Sequence, residues 1–496
     1  MSDANLKEPR RPDHDPHGVA QEIDWDDYRD HLATADQQGH RKWIYAKKPA
    51  GKWYVRRTIF AWFLIIAMFV GPWVRINGNP LLLLNIVERK FSVLGQIFWP
   101  QDTIIFAVAM LLFLTSIVLF TTVFGRLWCG WACPQTVMME MVFRKLDYLL
   151  EGDAHQQRAL DAAPWTAGKV AKKALKHVIY LGLSFAIGNT LLAYIIGSEG
   201  LLAIQIDDPR NHVSGLVAMV VFSLVFYAIF ARFREQACTY ICPYGRFQSA
   251  MIDENTLVVA YDHKRGEKRA PLHRAQTFER RQAEGAGDCI SCRQCVVVCP
   301  TGIDIRNGVQ MECVHCTACI DACDTVMAKI KRPRGLIRYA SLNSIEKGSR
   351  LRFTARMGIY SVLLTVLVVL LSVLVFTRSD VETLFLRAPG GLFQELPGGR
   401  IQNLYTVKIV NKTSRDIPIT LKLENSPGEL ATVGGVLLVP QQDLVKTSVL
   451  VKLPKSVLTG ASTKLLIGVY SDGKLIETVK TAFVGPRTAA ATNLKL

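Results

Sequence analysis

Cys289-Ile-Ser-Cys292-Arg-Gln-Cys295-Val-Val-Val-Cys299-Pro300 and, fourteen positions further on, Cys313-Val-His-Cys316-Thr-Ala-Cys319-Ile-Asp-Ala-Cys323-Asp324 are the stretches on which the fold of this chain turns. Each run spaces four thiols as C-x2-C-x2-C-x3-C. In that spacing three close thiolates wrap one iron–sulfur cube, and the fourth ligates the other cube of a pair. The expected ligand sets are therefore Cys289, Cys292, Cys295 and Cys323 for one [4Fe–4S] cluster, and Cys313, Cys316, Cys319 and Cys299 for the second. Zinc is a competing reading, but zinc sites typically use two separated C-x2-C knuckles. Asp324 stands in the second run where Pro300 stands in the first. A proline there shapes a turn and holds no iron, so the change bears on cluster potential more than on cluster presence.

Outward from this bacterial-type dicluster ferredoxin insert, the chain becomes apolar. Five stretches are long enough to cross a bilayer: Thr58–Val74, Thr103–Phe124, His177–Ile196, Val213–Phe230 and Met357–Phe376. The residues before them are polar and offer no apolar core of a secretory signal, so the N-terminus is expected in the cytoplasm. Lys and Arg crowd the flanks of alternate segments: Arg41 to Arg57 before the first span, Arg126 to Lys176 between the second and third, and Arg232 to Arg356 between the fourth and fifth. The segment Arg75–Asp102 carries only Arg75, Arg89 and Lys90, and the short loop after the third span only Arg210. The positive-inside rule then puts the N-terminus and the cysteine runs inside and the C-terminus outside. The excess of 59 Lys and Arg over 42 Asp and Glu, a formal charge of +17, follows from this topology, and nucleic acid is not expected as a partner.

The last 120 or so residues change character. Alternating β-branched runs at Tyr405–Val410, Ile417–Leu423, Thr447–Val451 and Leu465–Tyr470 are separated by turn signals at Asn425-Ser-Pro-Gly428 and Ser471-Asp-Gly473. They predict an immunoglobulin-like β-sandwich without cysteine. The sequon Asn411-Lys-Thr413 is read as accidental. The expected domains are a cytoplasmic tail at 1–57, a four-span membrane core at 58–252, the ferredoxin domain at 253–356, a fifth membrane helix at 357–376 and the sandwich at 377–496.

The other four of the twelve cysteines form two C-x3-C-P motifs, Cys129-Gly-Trp-Ala-Cys133-Pro134 and Cys238-Thr-Tyr-Ile-Cys242-Pro243. Each follows an even-numbered span by a few residues, so spans one and two with the first motif read as a weak repeat of spans three and four with the second. Spacing of i, i+4 puts both sulfurs on one face if the helix continues, and the proline limits that continuation. Four thiols converging at the inner face suit Cu(I), a soft ion; a redox disulfide within each pair and a plain structural role are the other readings. His177 lacks a partner His at matching depth and reads as a satisfied interfacial residue. His315 reads as a loop residue beside a cluster, and Trp128 and Trp131 as interfacial anchors. The chain has no Walker loop, no G-x-G-x-x-G after a strand and no H-E-x-x-H.

Paired C-x3-C-P motifs, a dicluster ferredoxin insert, a fifth span and a terminal sandwich together resemble the cytochrome c oxidase accessory proteins, the polyferredoxin family called FixG, RdxA or CcoG. The resemblance covers the chain from about Trp43 onward. It implies a multi-pass protein of the bacterial inner membrane that reduces Cu(II) to Cu(I) during assembly of the cbb-type cytochrome c oxidase. Cys129, Cys133, Cys238 and Cys242 would then be redox or copper thiols. The partners implied are membrane lipid, oxidase subunits or copper-assembly factors, an electron donor that sequence does not name, and a second copy of the chain. A quinol-coupled electron-transfer subunit of another respiratory reductase, and a non-enzymatic assembly scaffold, are the alternatives.

Overall fold

The computed structural model describes residues 34–35, 38, 40–76, 78–86, 90–99, 102–273, 276–348, 353–413, 415–434, 437–441 and 443–486. Most of the tail expected at 1–57, the basic residues Arg89, Arg350 and Arg352, and the end of the 377–496 domain lie outside them. Among the described residues five helices are long and apolar enough to cross a membrane: span 1 (Lys52–Trp73), span 2 (Thr103–Phe124), span 3 (Ala167–Ile196), span 4 (Val213–Phe233) and span 5 (Ala355–Phe376). Span 3 starts ten residues before the apolar run that announced it. Thr166 accepts from the Lys169 N–H at its N-cap, and the added turns carry Lys169, Lys172, Lys173 and Lys176, which hydropathy reads as loop. Span 3 buries 39% of its most apolar window, whereas spans 2 and 5 each bury 6%, leaving their surfaces for lipid.

The chain divides into two compact units, residues 1–74 with 107–369 and residues 75–106 with 370–496. In the first unit, spans 3 and 4 approach closely at Gly188, where a Cβ would lie 3.3 Å from the Ser223 backbone nitrogen. The membrane core gathers Ala61, Ile65, Val137, Met141, Phe143, Tyr180 and Phe230, with Phe143 stacked on Phe230 at 4.3 Å and edge-on to Tyr180 at 4.8 Å. The ferredoxin insert follows helix Pro243–Met251, and a two-stranded antiparallel sheet, Val258–Tyr261 with Ile337–Ala340, brackets its cysteine loops. The insert is tied to the bundle by backbone. Leu257 N–H donates to Val123 at 3.0 Å, Thr256 Oγ1 to the Thr122 carbonyl at 2.9 Å, and Lys47 N–H to Val297 at 2.9 Å.

The second unit is a sandwich of two antiparallel sheets with a small three-stranded sheet (Leu82–Asn85, Lys90–Val93, Gln96–Phe98) from the loop between spans 1 and 2. The sandwich strands are β1 (Val381–Arg387), β2 (Gln394–Leu396), β3 (Arg400–Asn411), β4 (Ile417–Leu423), β5 (Glu429–Thr432), β6 (Leu437–Val439), β7 (Leu444–Pro454), β8 (Ser462–Ser471) and β9 (Lys474–Val484). One sheet has the order β5-β7-β3-β1 with β2 also on β3, and the other β6-β4-β8-β9. The inward residues of β3, Ile401, Tyr405, Val407 and Ile409, are fully buried against Val449, Val451, Ile467 and Phe483. Asp472 (φ 48°) and Gly473 (φ 79°) turn β8 into β9 with the left-handed pair that a two-residue hairpin requires. Asn411 is fully buried: its Nδ2 donates to the carbonyls of Arg415, Val439 and Pro440, so the sequon is a structural corner.

Candidate iron–sulfur and thiol centre

Both cysteine loops of the insert are built on the same backbone. The third and fifth residues of each C-x2-C-x2-C segment are left-handed: Ser291 (φ 52°) and Arg293 (φ 55°) in the first, His315 (φ 55°) and Thr317 (φ 68°) in the second. None is glycine, and each such residue costs of order 1–3 kcal/mol and persists only where the surroundings impose it. A conformation this unfavourable, repeated at the same positions in both loops, points to a shared structural requirement at their centres. A short helix follows each loop, Gln294–Val297 after the first and Ala318–Lys329 after the second.

The cysteines line two cavities. Cys289, Cys292, Cys295 and Cys323 border one with Tyr261, Met327 and Leu336. Cys299, Cys313, Cys316 and Cys319 border another with Ile303 and Ile305, and Cys295 reaches it too. Each cavity thus holds one of the two quartets read from the spacing. The residues fit an iron–sulfur cube: the donors are all sulfur, the walls are largely apolar with Arg306 beside the first quartet and Thr301 beside the second, and N–H groups of His315 and Ala318 hydrogen-bond the sulfurs of Cys313 and Cys316. Burial pushes three of these thiols up, Cys316 to about 11 and Cys295 and Cys313 to about 12. Asp324 holds the insert's own fold, accepting from the Gly335 N–H at 2.8 Å.

The two C-x3-C-P motifs repeat a second local geometry. Gly125 (φ 54°) and Arg234 (φ 50°) are left-handed at the ends of spans 2 and 4, and a cysteine follows each by four residues. The helix does not continue through either motif. Cys133 and Cys242 are extended N-caps, and Pro134 and Pro243 open new helices at the first position. The sulfurs of a pair are therefore brought together by a break rather than along one helix face. Cys238 sits in a π-turn, Ala237–Ile241, a distortion frequent at functional sites.

All four thiols are free and half-buried, within electrostatic reach of one another. Cys129 Sγ donates to Gln248 Oε1 at 3.2 Å, and Thr136 Oγ1 lies 4.0 Å from Cys238 Sγ. Burial raises Cys129 to about 11 and Cys238 to about 12. Among the described residues no group of three or more His, Cys, Asp or Glu is drawn in to the distances of a single ion, either at these thiols or at the two quartets.

Several residues that sequence read as loop charges are buried here. Arg234 Nη2 donates to Asp147 at 2.6 Å and to Tyr180 Oη at 2.9 Å; Lys176 pairs with Asp147 at 2.8 Å and Glu151 at 2.9 Å; Arg144 lies between Glu140 and Glu235. Arg57, 2% exposed, donates from Nε to the Gly130 carbonyl at 2.6 Å. His177 is satisfied by Tyr227 Oη at 2.9 Å. Trp128 is 48% exposed, in keeping with an anchor, but Trp131 turns toward the insert and donates to Tyr339 Oη at 3.2 Å. His315 is 1% exposed; burial, then Arg126, pushes its pKa to about 3 and keeps it neutral. Gln248, Tyr339 and Asp321 carried no sequence signal of a site role.

Membrane helices bearing an insert with two sulfur-lined cavities define a membrane-bound iron–sulfur electron-transfer protein. Family comparison agrees: residues 233–342 match a 4Fe-4S dicluster domain, 106–151 a 4Fe-4S binding domain, and 371–486 the immunoglobulin-like fold at the C-terminus of FixG. The chain is 34% identical over 460 residues to protein RdxA of Cereibacter sphaeroides, covering 87% of this chain and 96% of that protein. It is 33% identical to the nitrogen fixation protein FixG of Rhizobium meliloti, covering 80% of this chain and 82% of that protein. Protein RdxB of Cereibacter sphaeroides is 33% identical over 81% of this chain and 88% of its own length. The chain belongs to the FixG/RdxA family.

Proposed function

We propose that this protein reduces Cu(II) to Cu(I) at the four membrane thiols during assembly of a cbb-type cytochrome c oxidase. The supporting observation is the gathering of Cys129, Cys133, Cys238 and Cys242, free and within reach of one another, on the face of the bundle where the iron–sulfur insert docks. When bound, the two [4Fe–4S] clusters supply one-electron reducing power. The thiols offer soft sulfur to a copper ion that takes up one electron and leaves as Cu(I). Gln248 orients the Cys129 thiol, and the buried Arg57 holds the backbone of the first motif in place. In this reading the protein spans a bacterial inner membrane with its N-terminus and insert in the cytoplasm. Its sandwich then lies in the periplasm and meets oxidase subunits or copper-assembly factors, and the chain pairs with a second copy.

The test is anaerobic Cu(II) reduction by chemically reduced protein, read with a Cu(I)-specific chelator. Activity is expected to vanish in Cys129→Ser/Cys133→Ser and to fall in Cys289→Ser, which loses one of the two clusters, and full activity in the first variant would overturn the role of the thiols. A second reading rests on the 106–151 match, which is described as a 4Fe-4S binding domain and contains, of the twelve cysteines, only Cys129 and Cys133. In that reading the four thiols hold a third iron–sulfur centre, and iron analysis would find about twelve irons per chain rather than about eight.

A further inference from the structure

Gly130, between Cys129 and Trp131, rests directly on the second cysteine loop of the insert. A Cβ at Gly130 would lie 2.2 Å from the Val314 carbonyl oxygen and 3.0 Å from the His315 carbonyl carbon. Both obstacles are backbone, so no side chain fits unless one loop moves. The backbone of Gly130 is not left-handed, and it lies within helix Leu127–Trp131, where glycine is less stable than alanine. Close approach is therefore the physical reason for a glycine here. The contact is reinforced on both sides. Arg57 Nε holds the Gly130 carbonyl at 2.6 Å, Trp131 Nε1 donates to Tyr339 Oη at 3.2 Å, and Tyr339 Oη donates to the His315 carbonyl at 3.0 Å.

We propose that Gly130 is a positioning residue for electron exit: its missing side chain lets the Cys129 turn sit on the Val314–His315 backbone, making the Cys299, Cys313, Cys316 and Cys319 quartet the one that faces the membrane thiols. The proposal deepens the copper-reduction reading and rests on it for the identity of the acceptor. One electron crosses the contact for each Cu(II) converted to Cu(I), no proton moves and no protein bond forms or breaks. Dithionite supplies the electron in the test, and a one-electron donor supplies it in the cell.

The experiment uses full-length, iron-loaded, dithionite-reduced protein in detergent, followed by electron paramagnetic resonance. Cys292→Ser and Cys313→Ser each alter the signal of their own quartet and so assign the two signals. Cys129→Ser is expected to perturb the signal assigned by Cys313→Ser and to leave the other unchanged; perturbation of the other alone would overturn the proposal. In stopped flow, reoxidation by Cu(II) is expected to slow at least about tenfold in Gly130→Ala with iron content at the wild-type level. The control is Gly182→Ala, a span 3 glycine with nothing within 4 Å of its Cβ position, which should match the wild type. An unchanged rate in Gly130→Ala with iron intact would also overturn the proposal. Should Gly130→Ala lose iron, Tyr339→Phe removes both bridging hydrogen bonds and keeps the ring, and Trp131→Phe removes one of them together with part of the indole packed on Trp53 and Phe60. Each is expected to slow reoxidation severalfold, and wild-type rates in both would count against the contact. Failure of the wild-type protein itself to reoxidise with Cu(II) would refute the copper reading instead, and the resonance comparison with Cys129→Ser still decides the contact.

Discussion

Arg234 shows how much of this site depends on single buried residues. It takes a left-handed conformation where the equivalent position after span 2 is Gly125, and its guanidinium is held by Asp147, by Tyr180 and over the Trp43 ring at 4.7 Å. Burial alone would raise the Asp147 carboxyl, but Arg234 and then Lys176 outweigh it and hold the carboxyl below the usual range. A depressed carboxylate stabilises the fold above its unfolded pKa, about 4, and that contribution is lost as pH falls from there through the lower folded value. Asp147→Asn leaves the buried Arg234 without a carboxylate and Lys176 with Glu151 alone, and is expected to cost roughly 3–5 kcal/mol at neutral pH. Denaturant unfolding followed by cluster absorbance measures it, and the gap from wild type should narrow below about pH 4. At the same scale, Cys289→Ser and Cys313→Ser should each lower iron from about eight to about four per chain, because the quartets line separate cavities. Loss of all iron in either variant would mean that the two sites assemble as one. The ligand types were legible from spacing alone; the pairing of Asp147 with Arg234 was not, since the two are 87 positions apart and Arg234 counted only as a flanking charge.

At the scale of elements, the C-x3-C-P motifs were visible as a repeat but not in their geometry. Sequence allowed a continuing helix, whereas the residue before each proline is extended and starts a new one. The docking of span 1 was likewise hidden. Asp321, from the helix that follows the second cysteine loop, accepts from the Trp53 N–H at 3.2 Å and the Tyr54 N–H at 2.8 Å, capping span 1 from 268 positions away. Gly51 (φ 150°) leaves room for it, since a Cβ there would meet the Asp321 side chain at 2.2 Å. Asp321→Ala is expected to cost about 0.5–2 kcal/mol, the usual effect of losing an N-cap acceptor. Faster proteolysis between Lys47 and Lys52 in the iron-loaded protein would register it, and an unchanged rate would mean that the cap does not hold the insert to the membrane part.

At the scale of the whole molecule, the sandwich has its own core, from Val381 to Phe483. Within its unit a buried ion group joins it to the loop between spans 1 and 2: Asp102 accepts from Arg378 at 2.5 Å and from Lys412 at 2.7 Å, and Lys412 also meets Glu382 at 2.8 Å. Since the cysteines all lie in the other unit, removal of residues 378–496 is expected to leave iron content and in vitro copper reduction close to wild type. Loss of both would favour the scaffold reading.

The sequence by itself determined the five membrane helices, the two cysteine quartets and the sandwich, because each is written in local chemistry: apolar length, thiol spacing, and strand alternation with turn residues. Only the tertiary structure decided that Arg57, Arg144, Lys176 and Arg234 are buried partners rather than solvated flanks, and that Trp131 serves docking rather than anchoring. It alone brought Gly130 against Val314. Those outcomes depend on which distant backbone comes within a few ångströms, and no short-range pattern encodes such a contact.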